Sequence, residues 1–145
     1  MEETGPVRPA RQLQILIVED NEDSREALSS LLTFAGHVTR MAHDGPSALA
    51  MVSDWSPDVV LLDIGLPGMD GHDLARRLRE QTHLGDVVLV ALTGWGQASD
   101  RQRSAAAGID HHLIKPIDPS ALEKLLGTLA RAASGNRPSA DGDLT

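Results

Sequence analysis

Three runs along the chain are apolar without a break: Ile15-Leu16-Ile17-Val18 within Leu13–Val18, Val59–Leu62, and Val87–Leu92. Runs this short, with β-branched members, predict strands buried on both faces, as in a parallel sheet. Each ends abruptly in polar residues, Glu19-Asp20 after the first, Asp63 after the second and Thr93 after the third. Two other stretches read as weaker strands. His37–Ala42 alternates polar and apolar, which suits a half-exposed edge. His111-His112-Leu113-Ile114 is short and runs into Lys115-Pro116.

Helical periodicity fills the intervals. Asn21-Glu22-Asp23-Ser24 supplies a cap and first-turn acids. Ala27, Leu28, Leu31, Leu32 and Ala35 follow at helical spacing, predicting a helix over 22–35 closed by Gly36. Gly45-Pro46 opens a second helix with Ala48, Leu49 and Val52 inward, stopped near Trp55-Ser56-Pro57. Leu74, Ala75 and Leu78 mark a third, with Arg76, Arg77 and Arg79 outward. A fourth, over 99–107, has a face made mostly of alanine and is expected to pack lightly and move easily. Pro119 starts the last, with Leu122, Leu125, Leu126 and Leu129 on one side.

Five alternating strand–helix units predict an α/β fold, a parallel sheet with helices on both faces. The three wholly apolar strands belong in the centre and the other two at the edges. Right-handed crossovers then give a doubly wound, flavodoxin-like five-stranded sheet of order 2-1-3-4-5. Residues 1–12 and 134–145 are polar and aperiodic, so the ordered domain is expected over 13–133, between a flexible lead-in and a flexible tail.

Composition narrows the class. A chain of 145 residues with 41% hydrophobic and 23% charged residues fits one soluble domain with a real core. Aromatics are Phe34, Trp55 and Trp95 alone, so that core must be aliphatic. The absence of cysteine excludes a disulfide framework and a thiolate metal site, and suits a reducing, cytoplasmic setting. No apolar run reaches membrane-span length, so membrane insertion is not expected. A net charge of −8 argues against direct nucleic-acid binding and favours a site that takes a cation.

The strand ends carry the chemistry. In the predicted order, Glu19, Asp20, Asp63, Thr93 and Lys115 all fall on one rim of the sheet, where ligands bind in open α/β folds. Two unit charges about 4 Å apart repel by roughly 4 kcal/mol at an effective dielectric of about 20. Three carboxylates in one pocket therefore call for a compensating charge, and a hard divalent cation such as Mg²⁺ suits oxygen ligands. A cation, an ammonium and a hydroxyl together also bind a phosphoryl group. Asp63, placed at the centre, is a competent nucleophile toward phosphorus. The bland alternatives are first-turn helix acids for Glu19-Asp20 and turn formation for Asp63 and Thr93.

Four motifs now stand in order: Leu16-Ile17-Val18-Glu19-Asp20; Leu61-Leu62-Asp63-Ile64 with Leu66-Pro67-Gly68-Met69-Asp70-Gly71; Ala91-Leu92-Thr93-Gly94; and Leu113-Ile114-Lys115-Pro116. With them the chain resembles a response-regulator receiver domain of two-component signalling, over roughly Leu13 to Ala133. The resemblance implies that Asp63 is the phosphoacceptor. It implies that Glu19, Asp20, Asp63 and the backbone carbonyl of Gly65 hold Mg²⁺, that Thr93 and Lys115 bind the phosphoryl oxygens, and that Lys115-Pro116 is a cis peptide. The implied donor is a phosphohistidine on a partner histidine kinase or histidine phosphotransfer protein. The implied readout is a shift of the face built by the fourth helix, fifth strand and fifth helix. Gly94-Trp95-Gly96 and Gly108-Ile109-Asp110-His111-His112 most resemble receivers attached to hybrid sensor kinases.

Two positions depart from the family pattern. His112 stands where a Tyr or Phe switch side chain is usual, paired in that role with Thr93, and a histidine there brings pH sensitivity. Gly65 leaves the surroundings of Asp63 open, while Trp95 is placed to cover it. The competing functions are an unphosphorylated pseudo-receiver acting as an interaction module and a Mg²⁺-dependent phosphohydrolase. The latter chemistry usually has a second carboxylate two residues past the nucleophile, and Gly65 stands there. No separate enzymatic turnover is expected, and a monomer is favoured.

Overall fold

The computed structural model describes residues 12–94 and 101–131. The strands are β1 (Gln14–Val18), β2 (Val38–Ala42), β3 (Val59–Asp63), β4 (Val88–Thr93) and β5 (His111–Ile114). The helices are α1 (Glu22–Phe34), α2 (Gly45–Met51), α3 (Gly71–Arg79), α4 (Arg101–Ala106) and α5 (Pro119–Arg131). All strand pairs are parallel, and the order is β2-β1-β3-β4-β5. That is the predicted doubly wound sheet.

The apolar runs lie where their composition requires. Ile15 to Val18, Val59 to Leu62 and Leu89 to Leu92 are all buried. Alternation splits them between two cores. Leu16, Val18, Val60, Leu62 and Ala91 face a cluster with Ala48, Val52, Leu74, Leu78 and Ile109 from the α2, α3 and α4 side. Ile15, Ile17, Leu61, Val90 and Leu92 face Leu28, Leu32, Leu122 and Leu126 of α1 and α5. Burying an aliphatic side chain stabilises by about 1.5–3 kcal/mol, so these layers outweigh any single polar contact below.

Three expectations need correction or refinement. Helix α2 stops at Met51, because Val52 already takes the capping position, and the chain runs irregularly to β3. A short 3-10 turn at Thr82–Leu84, unmarked in the sequence pattern, precedes β4. Arg79 is turned inward. Its guanidinium donates to the carbonyls of Val87 (2.7 Å) and Gly108 (2.9 and 3.0 Å) and to Asp110 Oδ2 (2.6 Å). Gly108, at φ +91°, leaves room for it: a Cβ there would lie 2.7 Å from Arg79 Cγ. Arg76 and Arg77 do face outward.

The alanine-rich α4 contributes little to the apolar core, as expected, but polar contacts tie it to α3. Trp95, the rest of its loop to residue 100, and segments 1–11 and 132–145 lie outside the described residues. None of the described helices is long and apolar enough to cross a membrane.

Candidate functional site at the carboxyl rim of the sheet

Parallel strands point the same way, so one rim collects the residue that follows each apolar run. Glu19 follows β1 directly, with its N–H bound to the Ala42 carbonyl of β2 (3.1 Å). Asn21 then caps α1 by accepting from the Ser24 N–H (2.9 Å). Arg25, one turn into that helix, donates back to the carbonyls of Glu19 (2.8 Å) and Asp20 (3.4 Å) and fixes the loop between them. No local pattern marks this use of Arg25, since a half-buried cation in a first turn looks like any helix-surface residue.

Asp63 closes β3 and is 7% exposed. Its Oδ1 accepts from the Gly65 N–H (2.9 Å), and its Oδ2 accepts from Lys115 Nζ (2.8 Å). Directly afterwards the chain must turn back into α3. Gly71 makes this possible, because its N–H reaches the Ile64 carbonyl (3.0 Å) at very close backbone approach. A Cβ at Gly71 would lie 2.6 Å from Ile64 Cα and 2.7 Å from the Asp63 carbonyl oxygen. Asp70 caps α3 through the Asp73 N–H (2.9 Å).

Lys115 arrives from the edge strand. Its N–H donates to the Thr93 carbonyl (2.7 Å), and the Lys115-Pro116 peptide is cis. Its Nζ reaches Glu19 Oε1 (3.1 Å) as well as Asp63. Thus one ammonium bridges two buried carboxylates from neighbouring strands. Glu19, Asp20 and Asp63 each present a carboxylate oxygen, all within 4.8 Å of one another, so the structure brings together the acids expected at this rim.

The electrostatics follow from burial and count. Burial raises the Glu19 carboxyl above its ordinary range, helped by the negative charge of Asp63. Hydrogen bonds from the Asn21 N–H and Lys115 work against that rise. For Lys115, burial alone would lower the ammonium, but the bonds and charges of Asp63 and Glu19 outweigh it and hold it above the usual lysine value. One ammonium against three carboxylates leaves the cluster acidic. Its donors are all oxygens, which suits a hard divalent cation.

Thr93 is 1% exposed at the tip of β4, and its Oγ1 has no hydrogen-bond partner among the described residues. Buried hydroxyls are nearly always satisfied, and none of the described side chains or backbone groups satisfies this one. His112 is half-buried in β5, in register with Ala91, on the same sheet face as Thr93. Gly65 is exposed beside Asp63. The described part of the β4–α4 connection ends at Gly94.

Two buried polar residues on the α3–α4 seam were not singled out by sequence reasoning. His72 and Ser104, 1% and 2% exposed, join α3 to α4 through Nε2 and Oγ at 3.0 Å. A histidine among the polar positions of a short helix carries no signal of burial, because its partner comes from a different unit.

Comparison with known proteins places this geometry. The family described as response regulator receiver domain matches residues 15–127. Response regulator MprA of Mycobacterium avium is 34% identical over 131 residues, 90% of this chain and 55% of that protein. The chain thus spans about half the length of the curated relatives it matches. Among solved structures, chemotaxis response regulator CheY4 of Vibrio cholerae superposes with a TM-score of 0.76 at 29% identity, covering 81% of this chain and 98% of that one. The receiver domain of sensor histidine kinase PA1611 from Pseudomonas aeruginosa has a TM-score of 0.74 at 28% identity, covering 82% and 98%. That structure holds a magnesium ion coordinated in its active-site cleft.

Proposed function

Since the chain belongs to the response regulator receiver domain family, we propose that Asp63 accepts a phosphoryl group from a phosphohistidine of a partner histidine kinase or histidine phosphotransfer protein. The observation that carries this reading is the contact of Lys115 with both Asp63 and Glu19, beside a third carboxylate. A lone strand-end aspartate would need no such company.

In the proposed reaction a carboxylate oxygen of Asp63 attacks phosphorus, the bond from phosphorus to the donor imidazole nitrogen breaks, and the imidazole leaves. The Gly65 N–H orients the carboxylate. Lys115 moves part of its charge from Asp63 to the phosphoryl oxygens as the carboxylate loses its own. The buried Thr93 hydroxyl donates to another of those oxygens. Glu19, Asp20, Asp63 and the Gly65 carbonyl would hold Mg²⁺, an all-oxygen set that fits the ion. When bound, the ion draws charge from the phosphoryl oxygens and relieves the crowding of the acids. Thr93 and His112, on one sheet face, would carry the change to the surface formed by α4, β5 and α5. The setting is cytoplasmic, and the domain acts as a signalling element without a turnover substrate of its own.

Incubation with a small acyl phosphate and Mg²⁺, followed by intact mass and phosphate release, tests the proposal. One adduct per chain with slow release supports it. No adduct would leave an interaction module, and sustained release would indicate a phosphohydrolase.

A further inference from the structure

Beyond the carboxyl rim, the described buried polar side chains are His72 and Ser104, and they bond to each other. Their positions are informative. His72 lies in the first turn of α3, the helix entered by the loop that leaves Asp63. Ser104 lies on α4, the helix reached from Thr93. The pair therefore joins the two helices that follow the acceptor strand and the hydroxyl-bearing strand.

The rest of the seam explains why this bond matters. Near it, Arg103 Nη2 meets Asp70 Oδ2 at 3.0 Å, but both side chains are well exposed, and such pairs contribute little. At the far end Arg79 holds the Gly108 carbonyl. Between them, α4 brings few large apolar side chains: Ala105 and Ala106 are exposed, and Ser104 and Ala107 face inward. An alanine face can slide over its neighbour at small cost. A buried hydrogen bond cannot, because shifting the helix strands an imidazole or a hydroxyl away from water. The pair fixes one register of α4 on α3.

We propose that the His72–Ser104 hydrogen bond is a latch that holds α4 in its unphosphorylated seat and so restrains phosphoryl acceptance at Asp63. The proposal rests on the phosphoacceptor reading above. Its physical basis is the buried Thr93 hydroxyl, which has no partner among the described residues. A phosphoryl oxygen that satisfies it supplies the differential interaction required to move a two-state element. The end of β4 then gives toward Asp63, and α4, next along the chain, must leave its register. His72 and Ser104 act through Thr93 and are positioning residues.

The test uses the whole chain, Mg²⁺ and a small acyl phosphate. Ser104→Ala should take the adduct about fivefold faster than wild type, the factor commanded by one net hydrogen bond. Ser104→Thr, which keeps the hydroxyl, should return to the wild-type rate. Amides of residues 101–107 should exchange hydrogen faster in Ser104→Ala before any phosphorylation. The double variant His72→Leu/Ser104→Ala replaces both polar groups by apolar ones, keeps the seam packed and should also be faster than wild type. Rates for Ser104→Ala and the double variant within twofold of wild type, or below it, with adducts still forming, overturn the latch alone. A wild-type protein that takes no adduct overturns the phosphoacceptor reading, and the latch with it.

Discussion

Lys115 Nζ stands 2.8 Å from Asp63 Oδ2, at the place where an edge strand and a central strand bring an ammonium and a carboxylate to the same rim. The same Nζ is 3.1 Å from Glu19 Oε1, so removing it strands two buried acids at once.

Lys115→Met should therefore destabilise the metal-free protein by about 1–3 kcal/mol at pH 7, the cost of leaving buried acceptors unsatisfied. The pKa of Lys115 is raised above 10.5 in the folded state. Its contribution is then complete below the unfolded lysine value and is lost only as pH climbs through the higher folded value. Urea unfolding of wild type and variant from pH 7 to 10 should show a constant gap. A gap that closes within that range contradicts this assignment.

Magnesium should stabilise the wild-type protein and do so less after Asp20→Asn. An ion bound only by the folded state, at a concentration a hundredfold above its Kd, adds about 2.7 kcal/mol. Thermal unfolding with Mg²⁺ and with a chelator measures the difference. Equal shifts in wild type and Asp20→Asn would remove Asp20 from the ion site.

The site residues were legible because three apolar runs each stop at a polar residue, and parallel pairing sends those stops to one edge. Asp63 and Thr93 are fixed by that rule alone, and the strand order puts Lys115 beside them. Arg79 was misplaced because helical periodicity assigns long cations to the outer face. Its acceptors, the Val87 and Gly108 carbonyls, belong to connections whose paths no local pattern encodes. The His72–Ser104 pair escaped for the same reason, since each residue looks polar and exposed within its own helix.

Gly71→Ala should weaken both fold and site. The added Cβ meets backbone atoms of Ile64 and Asp63 at 2.6 and 2.7 Å, so α3 must move off the end of β3. Overpacking of this kind costs about 1–3 kcal/mol. A lowered urea midpoint together with slower adduct formation at Asp63 is the expected result. Unchanged stability would show that α3 accommodates the methyl group without displacement.

Acidification should loosen the start of β1 through His37. Its Nδ1 accepts from the Leu13 N–H (3.0 Å), which requires the neutral ring, and burial lowers its pKa below 6.5. A depressed imidazole contributes stability above the unfolded value that is lost as pH falls through the folded one. His37→Gln, which offers an uncharged acceptor, should lose less stability than wild type on going from pH 7 to pH 5. Identical pH profiles would show that this bond does not govern acid sensitivity.

The proposed transfer of a phosphoryl group to the carboxylate at the end of β3 can be read directly. Treatment with a small acyl phosphate and Mg²⁺, borohydride reduction of the acyl phosphate, and peptide mapping locate the modified side chain directly. A single modification at Asp63, absent in Asp63→Asn, is the expected result. Modification of Asp20 or Glu19 in the wild-type protein, with Asp63 untouched, would contradict it.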